Sequence, residues 1–366
     1  MRLLMRLPAA PISFTCLAAL TTLARPSESF ASSSLSLKVP FFGSTRGRVT
    51  LTSFTTPQIC PAVKECRPTS SPKYTDFASA RRSSHLTMAT ESPSSKDGLF
   101  LFDFDGVVCD SCDECTVSAW RTCQILNAIT EDGGSSGDTP PKWLFEKMRE
   151  MRPAIEVGWQ IPVLLSVFLE QRNNATPSSP AMAVPEIIQN YETLVENWLQ
   201  VHNLKEKNMV QTFGEVRDNW IASDLKSWLD INTFYNGISQ GITDCQGEVV
   251  LVTTKQHRFA TALVRHAGIE EHAMPTDSIY GLGMYKSKSD VIVDRMQKDG
   301  YEASNTHFFE DRWPTIAKCL KDDRLDRVKF YLCSWGYCTE EELKLAESEP
   351  RVTVLKLDEF AKVVMQ

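Results

Sequence analysis

The sequence predicts an α/β protein, a parallel sheet with helices on both faces, interrupted by an inserted all-helical domain. Three observations lead there. The apolar run Leu-Phe-Leu-Phe at 99–102 ends in Asp103-Phe104-Asp105-Gly106, and aspartates are poor strand residues, so they mark the end of a buried strand. Beyond residue 248, short apolar runs alternate with amphipathic stretches, the pattern of a sheet covered on both sides. Between these regions, apolar residues recur at three- and four-residue spacing, the signature of helices.

Taken in order, residues 1–95 look like an address. Arg2 and Arg6 precede an uncharged stretch over 7–24, and Ser27 and Ser29 precede Phe30. A segment rich in Ser, Thr and Arg and poor in acids follows to about residue 90. A signal peptide followed by a transit-like segment is similar to the two-part plastid presequence of algae with secondary plastids; a plain mitochondrial or chloroplast transit peptide is the alternative. The first strand covers about 98–104, followed by a thiol-bearing loop. Helices are expected at 143–151, 155–171, 184–201 and 213–229, the first started by Thr139-Pro140-Pro141. Residues 131–139 and 172–181, polar or rich in Pro and Ser, are expected as exposed loops. Strands then fall near 248–253, 277–280, 305–309, 328–333 and 352–355, and helices near 257–267, 289–299, 314–322, 339–347 and 358–365. The implied division is a presequence without fold over 1–95, a core of 96–111 and 240–366, and a helical domain of 112–239.

Composition narrows the class of partner. The 366 residues carry a net charge of −7. Residues 1–95 hold eleven basic and four acidic residues, which leaves the remainder at −14. So acidic a body argues against nucleic acid as partner. No later segment is apolar enough to span a membrane, so none is expected in the mature form. Cys109, Cys112 and Cys115 are evenly spaced but lack the second pair of a usual zinc site. A redox pair of Cys112 with Cys115 is the rival to incidental thiols.

Asp103 and Asp105 sit at the carboxyl end of a strand, where open α/β sheets place their ligands. Strand alternation puts both on one side, where they can hold magnesium, one attacking while the other moves a proton. Three later segments follow in fixed order: Glu248-Val-Val-Leu-Val-Thr253-Thr254, Lys286-Ser-Lys288-Ser-Asp-Val-Ile, and Thr306-His-Phe-Phe-Glu310-Asp311-Arg312. Together these four motifs resemble the haloacid dehalogenase superfamily of phosphohydrolases, over roughly residues 98–366. "YNGI", "VTTK", "YGLG", "FFEDR" and "SWGY" look like its phosphoglycolate-phosphatase-type branch and the plant plastid relatives.

The resemblance implies a Rossmann-like core with a helical cap. It makes Asp103 the nucleophile that forms an aspartyl-phosphate and Asp105 the general acid and base; dehalogenases of the superfamily lack a carboxylate at this second position. Thr253 would hydrogen-bond a phosphate oxygen, with Thr254 helping. Lys288 or Lys286 would stabilise the intermediate, Lys288 being preferred. Magnesium would be held by Asp103, the backbone carbonyl of Asp105, Asp311 and, by adjacency, Glu310. Arg152, Glu156 and Trp159, in a stretch similar to "RPxxExG" of the plant relatives, are candidates for substrate choice; the alternative is a core Trp159 and a surface pair of Arg152 with Glu156. The expected protein is a magnesium-dependent phosphatase of a small phosphorylated metabolite, monomeric or homodimeric. A phosphomutase of the same superfamily, or a binding protein that has lost turnover, are the alternatives.

Overall fold

A computed structural model of the chain describes residues 98–128, 137–178 and 180–365. The expected presequence lies outside them, as does most of the loop at 131–139. Strand β1, Leu99–Phe102, is buried throughout. Phe100 and Phe102 enter one hydrophobic layer and Leu99 and Leu101 the other. The strand has no solvent face, so its sequence needs no polar alternation.

The chain then makes a short strand, β2 (Cys109–Asp110), and enters six helices: α1 (Cys112–Ile125), α2 (Lys142–Met151), α3 (Gln160–Asn173), α4 (Val184–Gln189), α5 (Tyr191–Val201) and α6 (Glu206–Asp230). Strand β3 (Thr233–Phe234) returns antiparallel to β2. Leu144, Leu164, Trp198 and Phe213 belong to a hydrophobic core within this helical cap. After α7 (Ile238–Asp244), strands alternate with helices: β4 (Glu248–Val252), α8 (His257–His266), β5 (Ile279–Tyr280), α9 (Lys288–Asp299), β6 (Thr306–Glu310), α10 (Trp313–Cys319), β7 (Lys329–Cys333), α11 (Glu340–Glu347), β8 (Val352–Leu355) and α12 (Phe360–Val364). The six long-range strands pair in parallel in the order β5-β4-β1-β6-β7-β8. Side chains of α7, α8 and α12 cover one face, and those of α9, α10 and α11 the other. The winding reverses at β1: the chain proceeds outward to β4 and β5, then restarts on the opposite side at β6. Ligand crevices form at such a reversal. No helix among the described residues is long and apolar enough to cross a membrane.

The helical region departs from expectation in four places, one being that α6 starts at Glu206 where the helix was expected from 213. The thiol-bearing stretch 109–115, expected as a loop, runs into α1, with Cys112 and Cys115 buried in that helix as free thiols. Its polar residues hid the helix, and several are satisfied within it: Thr116 donates to the Cys112 carbonyl at 2.8 Å and Thr122 to that of Ser118 at 2.7 Å. The helix expected over 155–171 starts only at Gln160, which places Pro162 in the first turn, where proline is tolerated. The helix expected over 184–201 breaks at Asn190 (φ −109°, ψ 10°), whose side-chain amide donates to the Glu186 carbonyl at 2.8 Å and competes with the helical ladder.

Candidate active site

Asp103 follows the last residue of β1 and is fixed by its amide, which donates to the Phe309 carbonyl at 2.9 Å. The next strand over, β6, delivers Glu310 and Asp311. Carboxylate oxygens of Asp103, Glu310 and Asp311 lie within 4.8 Å of one another, and all three residues are buried. Three acids so close repel one another unless a cation joins them. Gly106 permits this approach. Its φ is +89°, and a Cβ here would collide with the Asp311 carboxylate, so only glycine serves.

The cation nearest this cluster is Lys288, the first residue of α9. Its Nζ is 3.1 Å from Asp103 Oδ1 and 2.7 Å from Glu310 Oε2. Burial would lower the Lys288 ammonium, but the two carboxylates outweigh it and raise its pKa, so it stays charged. Lys286, the alternative from sequence, is exposed. Glu310 is used twice, by Lys288 and by the Arg312 amide, which donates to Oε1 at 3.2 Å. It therefore anchors the lysine and has less to offer a metal than its neighbours. Asp311 receives the Tyr337 amide at 2.8 Å on Oδ2, while its buried Oδ1 has no hydrogen-bond partner. Asp103 Oδ1, although close to Lys288, also lacks an aligned donor. Both are buried carboxylate oxygens without a hydrogen bond, hard donors of the kind magnesium takes, so the residues fit a divalent cation.

Electrostatics agree with the crowding. Burial pushes Asp103 up to about 7, with Lys288 opposing and Glu310 and Asp105 adding to the rise. Burial also lifts Glu310 to about 6 and, together with Asp103, Asp311 to about 6.

Asp105 faces a different environment. Lys255 Nζ lies 3.1 Å from its Oδ1, and the Ser111 hydroxyl donates to the same oxygen. Burial would raise this carboxyl, but Lys255 and Arg152 outweigh it and hold it below the ordinary range. The side chain is thus committed away from the acidic cluster, leaving its backbone carbonyl as the metal donor assigned to it above. The turn after β4 carries Thr253, fully buried, whose Oγ1 accepts from the Lys255 amide at 3.1 Å. Its hydroxyl proton is therefore available to donate. Thr254, expected to assist with phosphate, instead donates to the Glu156 carbonyl at 3.1 Å and ties the cap loop to the core.

That cap loop closes over the site. Arg312 donates to the Ile155 carbonyl, and Glu156 pairs with Lys318 at 2.8 Å. The expected alternative of a surface pair between Arg152 and Glu156 is not what the structure holds. Arg152 is buried, its guanidinium 4.2 Å above the Tyr337 ring. Trp159 is half-buried against the cap core. A cavity of about 370 Å³ opens beside Asp103, Lys288 and Glu310 and under Glu156 and Val157, room for a small molecule.

Sequence reasoning missed Lys255, Ser111, Glu114, Arg217 and Tyr337. Lys255 had a signal, a lysine three residues beyond the apolar end of β4. Ser111 and Glu114 come from the start of a helix taken for a loop, Arg217 meets Glu114 across 103 residues, and Tyr337 reaches Asp311 across 26.

No family model and no curated protein matches the chain. Solved structures do resemble it. A predicted phosphatase from Clostridium acetobutylicum is 17% identical, covering 74% of this chain and 99% of its own, with a TM-score of 0.46. A predicted phosphoglycolate phosphatase from Haemophilus somnus is 13% identical with the same coverage and TM-score. A haloacid dehalogenase-like hydrolase from Streptococcus pneumoniae is 14% identical, covering 73% of this chain and 98% of its own, with a TM-score of 0.40. In its parallel sheet with an inserted helical cap, and in the order of its four motifs, the chain is similar to the haloacid dehalogenase superfamily.

Proposed function

We propose that the protein is a magnesium-dependent phosphatase of a small phosphorylated metabolite, working through an aspartyl-phosphate on Asp103. The observation that carries this reading is the convergence of Asp103, Lys288, Glu310 and Asp311 at the reversal point of the sheet, with Asp105 set apart on Lys255. A carboxylate is an adequate nucleophile only where the phosphate's charge is offset. Lys288 supplies one positive charge beside Asp103. A magnesium ion held by Asp103, Asp311 and the Asp105 carbonyl would supply more, neutralising charge on the transferring group.

The residues of the chain then divide the work. Asp103 attacks phosphorus, the bond to the leaving oxygen breaks, and that oxygen takes a proton from Asp105, which the negative charge of the bound phosphate, opposing Lys255 and Arg152, keeps protonated. In the second half, Asp105 takes a proton from water, the resulting hydroxide attacks phosphorus, and the bond to Asp103 breaks to release phosphate. The proton gained in the second half balances the one given in the first. Thr253 donates to a phosphate oxygen. The closed cap excludes bulk water, which strengthens each of these charges.

Hydrolysis of an aryl phosphate by the purified protein should stop on adding EDTA and resume with excess magnesium; turnover indifferent to chelation overturns the metal assignment. A second measurement needs no substrate. Raised carboxyl pKa values mean that the native state holds these protons more tightly than the unfolded chain. Their contribution to stability is therefore full below about pH 4 and is lost as pH rises through 6 to 7. Magnesium relieves that loss, so its stabilising effect should be large at pH 8 and small at pH 5. Saturating metal is worth about 3 kcal/mol, or roughly 5–10 °C in Tm. An equal shift at both pH values would remove the acidic cluster as the binding site.

The site of action proposed is the plastid, on the sequence of residues 1–95 alone. A fluorescent protein fused behind residue 95 should collect in plastids, and a mitochondrial or diffuse signal would overturn the assignment.

A further inference from the structure

We propose that Lys255 is a positioning residue for Asp105: together with Ser111 it occupies one carboxylate oxygen, Oδ1, and so reserves Oδ2 for the proton exchanged with substrate. The inference rests on the phosphatase reading above and concerns how its acid–base residue is aimed. Both contacts fall on the same oxygen. A carboxylate bound on one side by a cation and a hydroxyl cannot rotate freely, so the other oxygen has a fixed direction.

Lys255 is itself held on all sides. Its side chain is 2% exposed. Its amide donates to Thr253 Oγ1 at 3.1 Å, its carbonyl accepts from the Leu282 amide at 2.9 Å, and its Nζ lies 5.8 Å from the Phe104 ring centroid. A second carboxylate competes for it. Glu114, fully buried on α1, has Oε2 3.9 Å from the same Nζ. Glu114 is already satisfied by the cap, since Arg217 of α6 donates to both of its oxygens at 2.7 and 2.9 Å, and Ser118 and Trp228 add bonds at 2.7 and 3.3 Å. With Glu114 so occupied, Lys255 leans to Asp105, at 3.1 Å rather than 3.9 Å. Arg217 comes from the cap and Lys255 from the core, so the aim of Asp105 depends on both being assembled.

Leaving groups test this. The ratio kcat/KM covers events up to formation of the aspartyl-phosphate, in which phenol needs a proton from Asp105 and dinitrophenol does not. Lys255→Met should lower kcat/KM for phenyl phosphate about ten- to a hundredfold, at or below the lower end of what acid–base catalysis contributes, because Asp105 is misaimed and not removed. For dinitrophenyl phosphate kcat/KM should change less than about threefold. Lys255→Arg should restore most of the phenyl phosphate rate. Ser111→Ala, which removes the other contact to Oδ1, should show the same selective loss at smaller size and decides the matter if Lys255→Met does not fold. Parallel losses on both substrates, or a rise in KM alone, would mean that Lys255 is structural or binds phosphate directly, and would overturn the proposal. A wild-type protein inactive on both compounds is a separate result, one that overturns the phosphatase reading and this inference with it.

Discussion

Asp103→Asn should lower hydrolysis of any phosphate ester by about 10⁴- to 10⁶-fold, the scale of losing a covalent nucleophile. The amide has nearly the same shape but is a poor nucleophile, and it removes the negative charge that Lys288 faces at 3.1 Å. The same substitution should not harm the fold. Asp103 is a buried acid with a pKa pushed up to about 7, crowded by Glu310 and Asp105, so neutralising it relieves repulsion in the metal-free protein. The variant is therefore expected to be inactive yet to melt at or above the wild-type temperature without magnesium. Its response to magnesium should shrink, because one of the acids that lie together is lost. Steady-state kinetics and a thermal melt on one preparation check all three. Retention of a tenth or more of wild-type turnover would rule out Asp103 as nucleophile.

Arg217→Met should give the largest loss of stability. The substitution strands Glu114, which is fully buried. Burial raises this carboxyl, but Arg217, then Lys255, outweigh it and hold it down to about 2. Breaking such a pair by removing one partner costs about 3–5 kcal/mol, or roughly 6–20 °C in Tm for a domain of this size. The sign follows from linkage: a depressed carboxyl stabilises above its unfolded pKa and loses that contribution as pH falls toward the folded value. The deficit of the variant should therefore be full at pH 7 and shrink below about pH 4. Replacing Glu114 and Arg217 together by leucine and methionine should cost less than the two single changes combined. Additive losses would show that the two side chains do not depend on each other.

The sheet was legible because its strands are buried on both faces and its helices alternate with them. Asp103, Glu310 and Asp311 were legible for the same reason, since acids that end apolar runs have few structural reasons to be there. Lys288 could be preferred over Lys286 from spacing, but the basis is three-dimensional: only the first residue of α9 reaches across to β1 and β6. The Lys255–Glu114–Arg217 network was not legible. Glu114 contacts Arg217 across 103 positions, and no local pattern records such a pairing. Arg152 and Glu156 look like partners on a helix surface by spacing alone. Pro153 and Pro162 keep that stretch from forming one helix, which turns Arg152 inward and Glu156 toward Lys318.

The central place of β1 also shapes how the chain is made. This strand is the first of the sheet to leave the ribosome, yet both of its neighbours come late: Leu99 pairs with Glu248 on one side and with Thr306 on the other. At about 5–20 residues per second, the second partner emerges roughly 10–40 seconds after β1 itself. Through that interval Leu-Phe-Leu-Phe is a bare, sticky edge with no charge inside it. The early assembly of the helical insert, whose contacts are local and quick to form, leaves a nascent chain that is half finished and still in need of a chaperone's cover.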